Sequence, residues 1–469
     1  MRPLAASIGL LLSVQSVLAQ AIDTVQFTYV SEFLYQSFLP YSCLSAKFDD
    51  AGRPYLYTAN VELGIVVFDV SNIQDPIPVD TVLPAELGSL KPTNLWHQNG
   101  LLYASIGGIQ GVSQDAGLAI FDLSDPTDLS ILDIWSDPTF DQGAAIVIVE
   151  GDHAYIGAME LGVIILNVSD PSDIQFEGHT ALDPNFPRPP GLFSVPNARG
   201  MSIRNDTLIV ANDAGGLRMV DVSNKQQPVE LSKYINPDMD AITQSAYNNV
   251  LLIDRYAFVP VDYCGLDVVD VSDTNMVNAA WLNPWACNGA NWNGAEGHSN
   301  EIGRVSENLV FMTGGDSELL AYDVSDRTQP ELVGAYSFPY DSVVAWGLTH
   351  NDQHVVLCLV NNRILQQPYY SNVGGIMILE WNTVLGLESR SVADEVFAYP
   401  NPATNQVNIR MSGNYSLKVT SASGQLMLDE NVNGFQSIDV TDWSGGVYVL
   451  SVEQNNSMHH QKLVIQKAR

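Results

Sequence analysis

Residues 216–224, GLRMVDVSN, decide the fold, because close variants of them recur along the chain. GIVVFDVSN runs from Gly64, GLAIFDLSDP from Gly117, GVIILNVSDP from Gly162, GLDVVDVSD from Gly265 and ELLAYDVSD from Glu318. A degenerate copy, GIMILEW, runs from Gly375. Each is an apolar, β-branched run closed, except in the last copy, by Asp or Asn, with a Ser shortly after. Such a run reads as a buried strand, and the Asx and Ser as the turn that ends it. The closing residues Asp69, Asp122, Asn167, Asp221, Asp270, Asp323 and Glu380 fall 45 to 57 residues apart. A repeat of that length holding several strands is the signature of a β-propeller.

Ahead of each copy lie a first strand, a tight turn mostly of Gly, Asn or Asp, and a second strand. The second strands include PYLYTA from Pro54, HAYIGA from His153, TLIVAN from Thr207 and HVVLCL from His354. An outer strand follows each repeat, as in PVELSKYI from Pro228 and ELVGAYSF from Glu331. The last unit has no obvious outer strand, whereas residues 24–35, TVQFTYVSEFLY, form a lone strand ahead of any repeat. We expect residues 27–35 to cross over and complete the final blade beside residues 375–381, which removes two open sheet edges. From Val396 the pattern changes to short alternating strands with Gly, Asn and Ser turns, including SLKVTSASGQLML from Ser416 and SIDVTDWSGGVYVLSV from Ser437. The expected fold class is all-β: a seven-bladed β-propeller, closed by its N-terminal strand, followed by a small Ig-like β-sandwich.

The formal net charge is −33. The imbalance lies upstream of Val396, and it argues against a nucleic-acid partner, since phosphate binding needs Lys and Arg. Arg2, the apolar run through Leu18 and small residues at Ala19 and Ala21 have the layout of a secretory signal peptide, residues 1–21. No later apolar stretch reaches the roughly 20 residues of a transmembrane helix. Four cysteines, an even number, permit disulfides in an exported chain.

Two resemblances sharpen this. Over about residues 27–381 the units resemble the LVIVD repeat, named for its apolar strand ending in Asp and found in exported bacterial propellers. It implies the fold but no shared reaction. The tail, with YPNPATNQVNI, then SGQ, then WSGGVYVLSV, then KLVIQK in order, resembles the C-terminal sorting domain of the type IX secretion system. The implied layout is a signal peptide over 1–21, an LVIVD propeller over 22–382, a linker over 383–395 and the sorting domain over 396–469. The implied partner is the type IX machinery. The implied route is export through the periplasm to the outer-membrane surface or beyond.

In a propeller, loops between second and third strands share one face with loops between blades. On that face Glu62, Asp115, Glu160, Asp213, Asp262 and Asp316 form a candidate ring for a hard cation, calcium being the ion such oxygens fit. No motif requires a cofactor. Long between-blade loops bring aromatic and polar candidates for ligand binding: Phe186, Trp285, Trp292, His298 and Tyr340. Cys264 and Cys287 fall on the same face, and we expect them to pair. Cys43 and Cys358 lie in first and last blades, which adjoin in a closed ring. No GxSxG, HExxH or P-loop string is present. The leading expectation is a non-enzymatic surface propeller that binds a protein or glycan. The alternatives are a polysaccharide hydrolase or lyase using Asp262 or Asp316 with His298, and a structural surface component.

Overall fold

The computed structural model of the chain describes residues 24–35, 42–108, 114–190, 195–242, 245–262, 264–283, 287, 299–314, 318–337, 343–361, 371, 373–384, 397–401, 403–410, 413–421, 425–454 and 457–465. The expected signal peptide lies outside them.

The repeats fold into seven four-stranded antiparallel sheets, hereafter blades 1 to 7. Blade 1 runs outward through Cys43–Phe48, Tyr55–Asn60, Gly64–Asp69 and Ile77–Val82. Blade 4 repeats this with Gly200–Arg204, Thr207–Ala211, Leu217–Asp221 and Val229–Tyr234. Blade 7 departs from chain order: Ala345–His350, His354–Leu359 and Gly375–Val384 are completed on the outside by Thr24–Leu34. The expected crossover is therefore present. It pairs antiparallel from Thr24 opposite Val384 to Leu34 opposite Gly375. Innermost strands neighbour one another in turn, and Cys43–Phe48 meets Ala345–His350 to close the circle.

The repeated strand is apolar on both sides because a neighbouring blade covers each side. Buried clusters straddle every junction. One joins Tyr57 and Val67 of blade 1 to Leu102 and Phe121 of blade 2. Another joins Phe68 and Val66 of blade 1 to Ile376 and Ile378 of blade 7. Emptying one such site, as in Phe121→Ala, costs about 3–5 kcal/mol.

The closing Asx-Ser pair has a specific job. Asp69 Oδ1 accepts from Ser71 N at 2.8 Å, and Asp221 Oδ1 accepts from Ser223 N at 2.8 Å. Asn167 Oδ1 does the same for Ser169 N at 3.0 Å, so the amide replaces the carboxylate without loss of the turn. After Glu380, which is followed by Trp381, the strand instead runs on to Val384. A glycine opens the repeated strand in every copy but the one from Glu318, and at Gly216 the backbone demands it. Gly216 has φ +73, and an added Cβ would sit 2.2 Å from Tyr234 O. In every blade the pairing of third and outer strands slips by one residue at the same level, for instance between Met219 and Val220. In blade 7 the slip falls between Tyr29 and Ser31. The N-terminal strand thus carries the same bulge as the outer strands it stands in for.

The tail is a separate β-sandwich. One sheet holds Phe397–Tyr399, Gln406–Arg410 and Gln436–Asp439. The other holds Leu426–Asn433, Asn414–Ser421, Gly446–Gln454 and Ser457–Ile465. Alternate residues such as Tyr448, Leu450 and Val452 point into a core with Leu417 and Val419.

Candidate functional site at the channel mouth

The starts of the innermost strands surround the mouth of the central channel, and all seven blades contribute. Blades 1 and 3 supply an apolar wall of Leu44, Ala145 and Ile146, and blade 2 adds Thr93 and Asn94. Blades 4, 5 and 6 supply Arg199, Asn248, Asn249, Asn300 and Glu301, and blade 7 supplies Trp346. The cavity measures about 420 Å³ counting its open mouth. Backbone bridges stitch the rim: Asp213 and Tyr247 exchange hydrogen bonds at 3.1 Å each way, joining blade 4 to blade 5.

The expected cation ring is arranged differently. Glu62 Oε2 accepts from Ser42 N at 3.1 Å, and burial raises its pKa. Asp213 Oδ2 lies 3.7 Å from Arg199 Nη1 and accepts from Asn197 Nδ2 at 3.3 Å. Asp262 Oδ1 accepts from Asn248 Nδ2 at 2.6 Å. Each of these three grips the start of its own blade's innermost strand. Glu160 is exposed and Asp115 half-buried, while Asp316 lies outside the described residues. Among the described residues no three His, Cys, Asp or Glu side chains converge as a metal site. Glu62, Asp213 and Asp262 thus hold the channel wall through the strand starts.

The polar side of the mouth holds hydrogen-bonding atoms without protein partners. Asn248 Nδ2 donates both to Asp262 Oδ1 and to Ser299 O, each at 2.6 Å. That fixes the amide, so its Oδ1 is a preset acceptor, and it is buried without a partner. Neither side-chain atom of Asn300 has a partner, nor does Ser299 Oγ, although both residues are buried. Glu301 Oε1 accepts from Asn249 Nδ2 at 2.6 Å and from Ile302 N at 3.2 Å. Its deep position pushes the pKa up to about 7, against the opposing charge of Lys47. Arg199 reaches towards blade 7, its guanidinium 5.2 Å from the centre of the Trp346 ring.

Phe186 plays another part. Its ring packs 5.2 Å from the Arg218 guanidinium, which is wholly buried, and Phe186 O accepts from Arg218 Nη2 at 3.2 Å. Arg218 also donates to Gly215 O, Asp183 O and Glu230 Oε1, so it anchors the loop to blade 4. Phe140, on another between-blade loop, is buried beside Trp135 and His179. Cys264 and Cys287 form a disulfide with a Cα–Cα distance of 4.3 Å. Cys43 and Cys358 are buried free thiols at the junction of blades 1 and 7. Trp285, Trp292, His298 and Tyr340 lie outside the described residues.

The mouth residues that sequence reasoning missed sit in one column of the repeat, at the second residue of the first strand or up to three residues before it. Leu44, Thr93, Ala145, Arg199, Asn248, Asn300 and Trp346 differ in type from blade to blade, whereas the strands beside them repeat. A column that varies within a regular array marks positions released from core packing, and this was the available signal.

The LVIVD repeat family matches residues 112–140, 143–180, 197–236, 247–278 and 296–337. The secretion system C-terminal sorting domain matches residues 397–466. The chain carries LVIVD repeats and a type IX sorting domain. The matched LVIVD stretches lie in blades 2 to 6. Among solved structures, the WD40 repeats of RRP9 align with TM-score 0.55 at 10% identity, covering 76% of this chain and 100% of that one. YCF48 from Cyanidioschyzon merolae aligns with TM-score 0.48 at 7% identity, covering 75% and 98%. The first of these likenesses supports the propeller fold alone. No curated protein sequence matches the chain. The sorting domain marks the LVIVD protein for export, to the outer-membrane surface or secretion. Among the described residues no helix is long and apolar enough to cross a membrane.

Proposed function

We propose that this exported LVIVD propeller is a non-enzymatic binding protein that engages a protein or glycan at the cell surface through its channel mouth. One observation carries the reading: the fixed, unpartnered acceptor of Asn248 near the unpartnered amide of Asn300, both on the wall of the mouth. Amides left without protein partners on the wall of an open mouth are groups that the hydroxyls or amides of a ligand can satisfy. Amide hydrogen exchange of the full mature chain, with and without cell-surface polysaccharide and surface-protein extract, tests this. Slowed exchange at residues 247–250 and 299–302 supports the reading, and unchanged exchange throughout counts against it.

A second reading, a polysaccharide hydrolase or lyase, is favoured by one observation. Glu301, pushed up to about 7, is poised to exchange a proton near neutral pH. Release of new reducing ends or unsaturated products, lost in Glu301→Gln, would move the conclusion to that reading. Calcium has no part in the binding scheme. An ion retained in native mass spectrometry and removed by chelation would return attention to the rim carboxylates.

A further inference from the structure

We propose that the ligand group entering the mouth is a neutral, polyhydroxylated one: a single terminal sugar residue of a glycan. This rests on the mouth being the binding site, and it goes on to the chemistry of the occupant.

The open atoms decide the hydrogen-bonding type. Asn248 offers an acceptor only, since both of its donor positions are taken. Asn300 offers an acceptor and a donor at once. Asn248 donates to the backbone of Ser299, so these groups occupy one small patch. A hydroxyl both donates and accepts, and adjacent hydroxyls on a ring meet a mixed patch of this kind with every group satisfied.

The charges argue in the same direction. Arg199, the cation at the rim, already has Asp213 beside it and the Trp346 ring near its guanidinium. A carboxylate or phosphate would have to compete with Asp213. An ammonium would face that guanidinium, while Asp213 is engaged by Arg199 and Asp262 by Asn248. A neutral group meets neither penalty. Shape adds a third argument. The cavity measures about 420 Å³ counting its open mouth, with a polar wall on one side and an apolar wall on the other. A hydroxyl-bearing edge can face the polar wall while the ring body rests in the opening. There it meets Trp346 and the apolar wall of Leu44, Ala145 and Ile146. Sugar rings, with polar edges and apolar C–H faces, suit a cavity divided in this way.

The test uses the full mature chain and a panel of methyl glycosides covering hexoses, deoxyhexoses and N-acetylhexosamines. A parallel panel holds N-acetyl amino-acid amides. Binding is read by saturation-transfer NMR and tryptophan fluorescence. The key variant is Asn300→Ala. Its side chain has no partner in the protein, so its melting temperature should equal or exceed that of the parent. Ile77→Ser, on an exposed outer strand, is the control. The expected result is binding of at least one glycoside, weakened about tenfold by Asn300→Ala and untouched by Ile77→Ser. Failure of every glycoside overturns the sugar assignment. If an amino-acid amide then binds in an Asn300-dependent way, the ligand class is wrong and the binding site stands. If neither panel binds and envelope material gives no Asn300-dependent protection, the binding reading falls as well.

Discussion

Asp267 lies in the repeated strand GLDVVD, where its neighbours are apolar, and it is wholly buried. Three donors surround it: Asn236 Nδ2 at 3.0 Å, Tyr247 Oη at 3.0 Å and Asn278 Nδ2 at 2.7 Å. Burial outweighs these donors and pushes its pKa up to about 6. An unfolded chain would release the same proton near pH 4. The folded state therefore holds the proton more tightly. Its advantage is complete below about pH 4 and is lost as pH rises through about 6. A difference of about two pKa units is worth about 3 kcal/mol. Asp267→Asn cannot titrate and lacks this component. Urea unfolding of parent and variant, followed by tryptophan fluorescence from about pH 4 to about pH 7, isolates it. The parent's stability relative to the variant should fall by about 3 kcal/mol across that range. A constant difference, or one that grows with pH, would refute the reasoning. It would mean that the three donors keep the carboxylate ionised throughout.

Other expectations follow from the packing. Arg218→Ala leaves Glu230 and three carbonyls without their buried partner; it should cost about 3–5 kcal/mol in a melt and open residues 182–190 to protease. Cys264→Ser removes the bridge across a sequence separation of 23 and should cost about 3 kcal/mol in denaturant unfolding. In the parent chain, Cys43 and Cys358 should resist alkylation until the ring opens, so thiol labelling by mass spectrometry measures opening directly. Joining Val384 to Thr24 through a two-residue Asn-Gly turn should give a circular permutant that folds, because those residues are register partners in an antiparallel pair. Failure of that permutant to reach the parent's sheet content would contradict the pairing.

The architecture was legible because core packing repeats itself. The strand from Gly216 must fill the gap between two blades and then turn, so its apolar run and Asx-Ser ending recur wherever the gap does. The crossover was legible from a deficit, one unit without an outer strand and one strand without a unit. The matching bulge at Tyr29 and Ser31 was not, since a bulge leaves no residue-type signal of its own. The mouth was less legible, for a physical reason. Rim acids such as Asp213 and Asp262 were read by their charge. Their geometry is set by the donors nearest to them, on the innermost strand of the same blade. Asn248 and Asn300 attracted no attention because amides are common in loops. Only the fixed orientation of one and the lack of partners for the other distinguish them.

The outer strand of blade 7 comes from the opposite end of the propeller sequence, Thr24 pairing with Val384. The first strand made is therefore among the last to find its neighbour. A chain cut short before Gly375 leaves two sheet edges bare, with no internal segment able to cover them. Completing the circle consequently acts as a check on length. Residues 375–384 lie just ahead of the sorting domain, so a polypeptide that can close has been made almost as far as its own export signal.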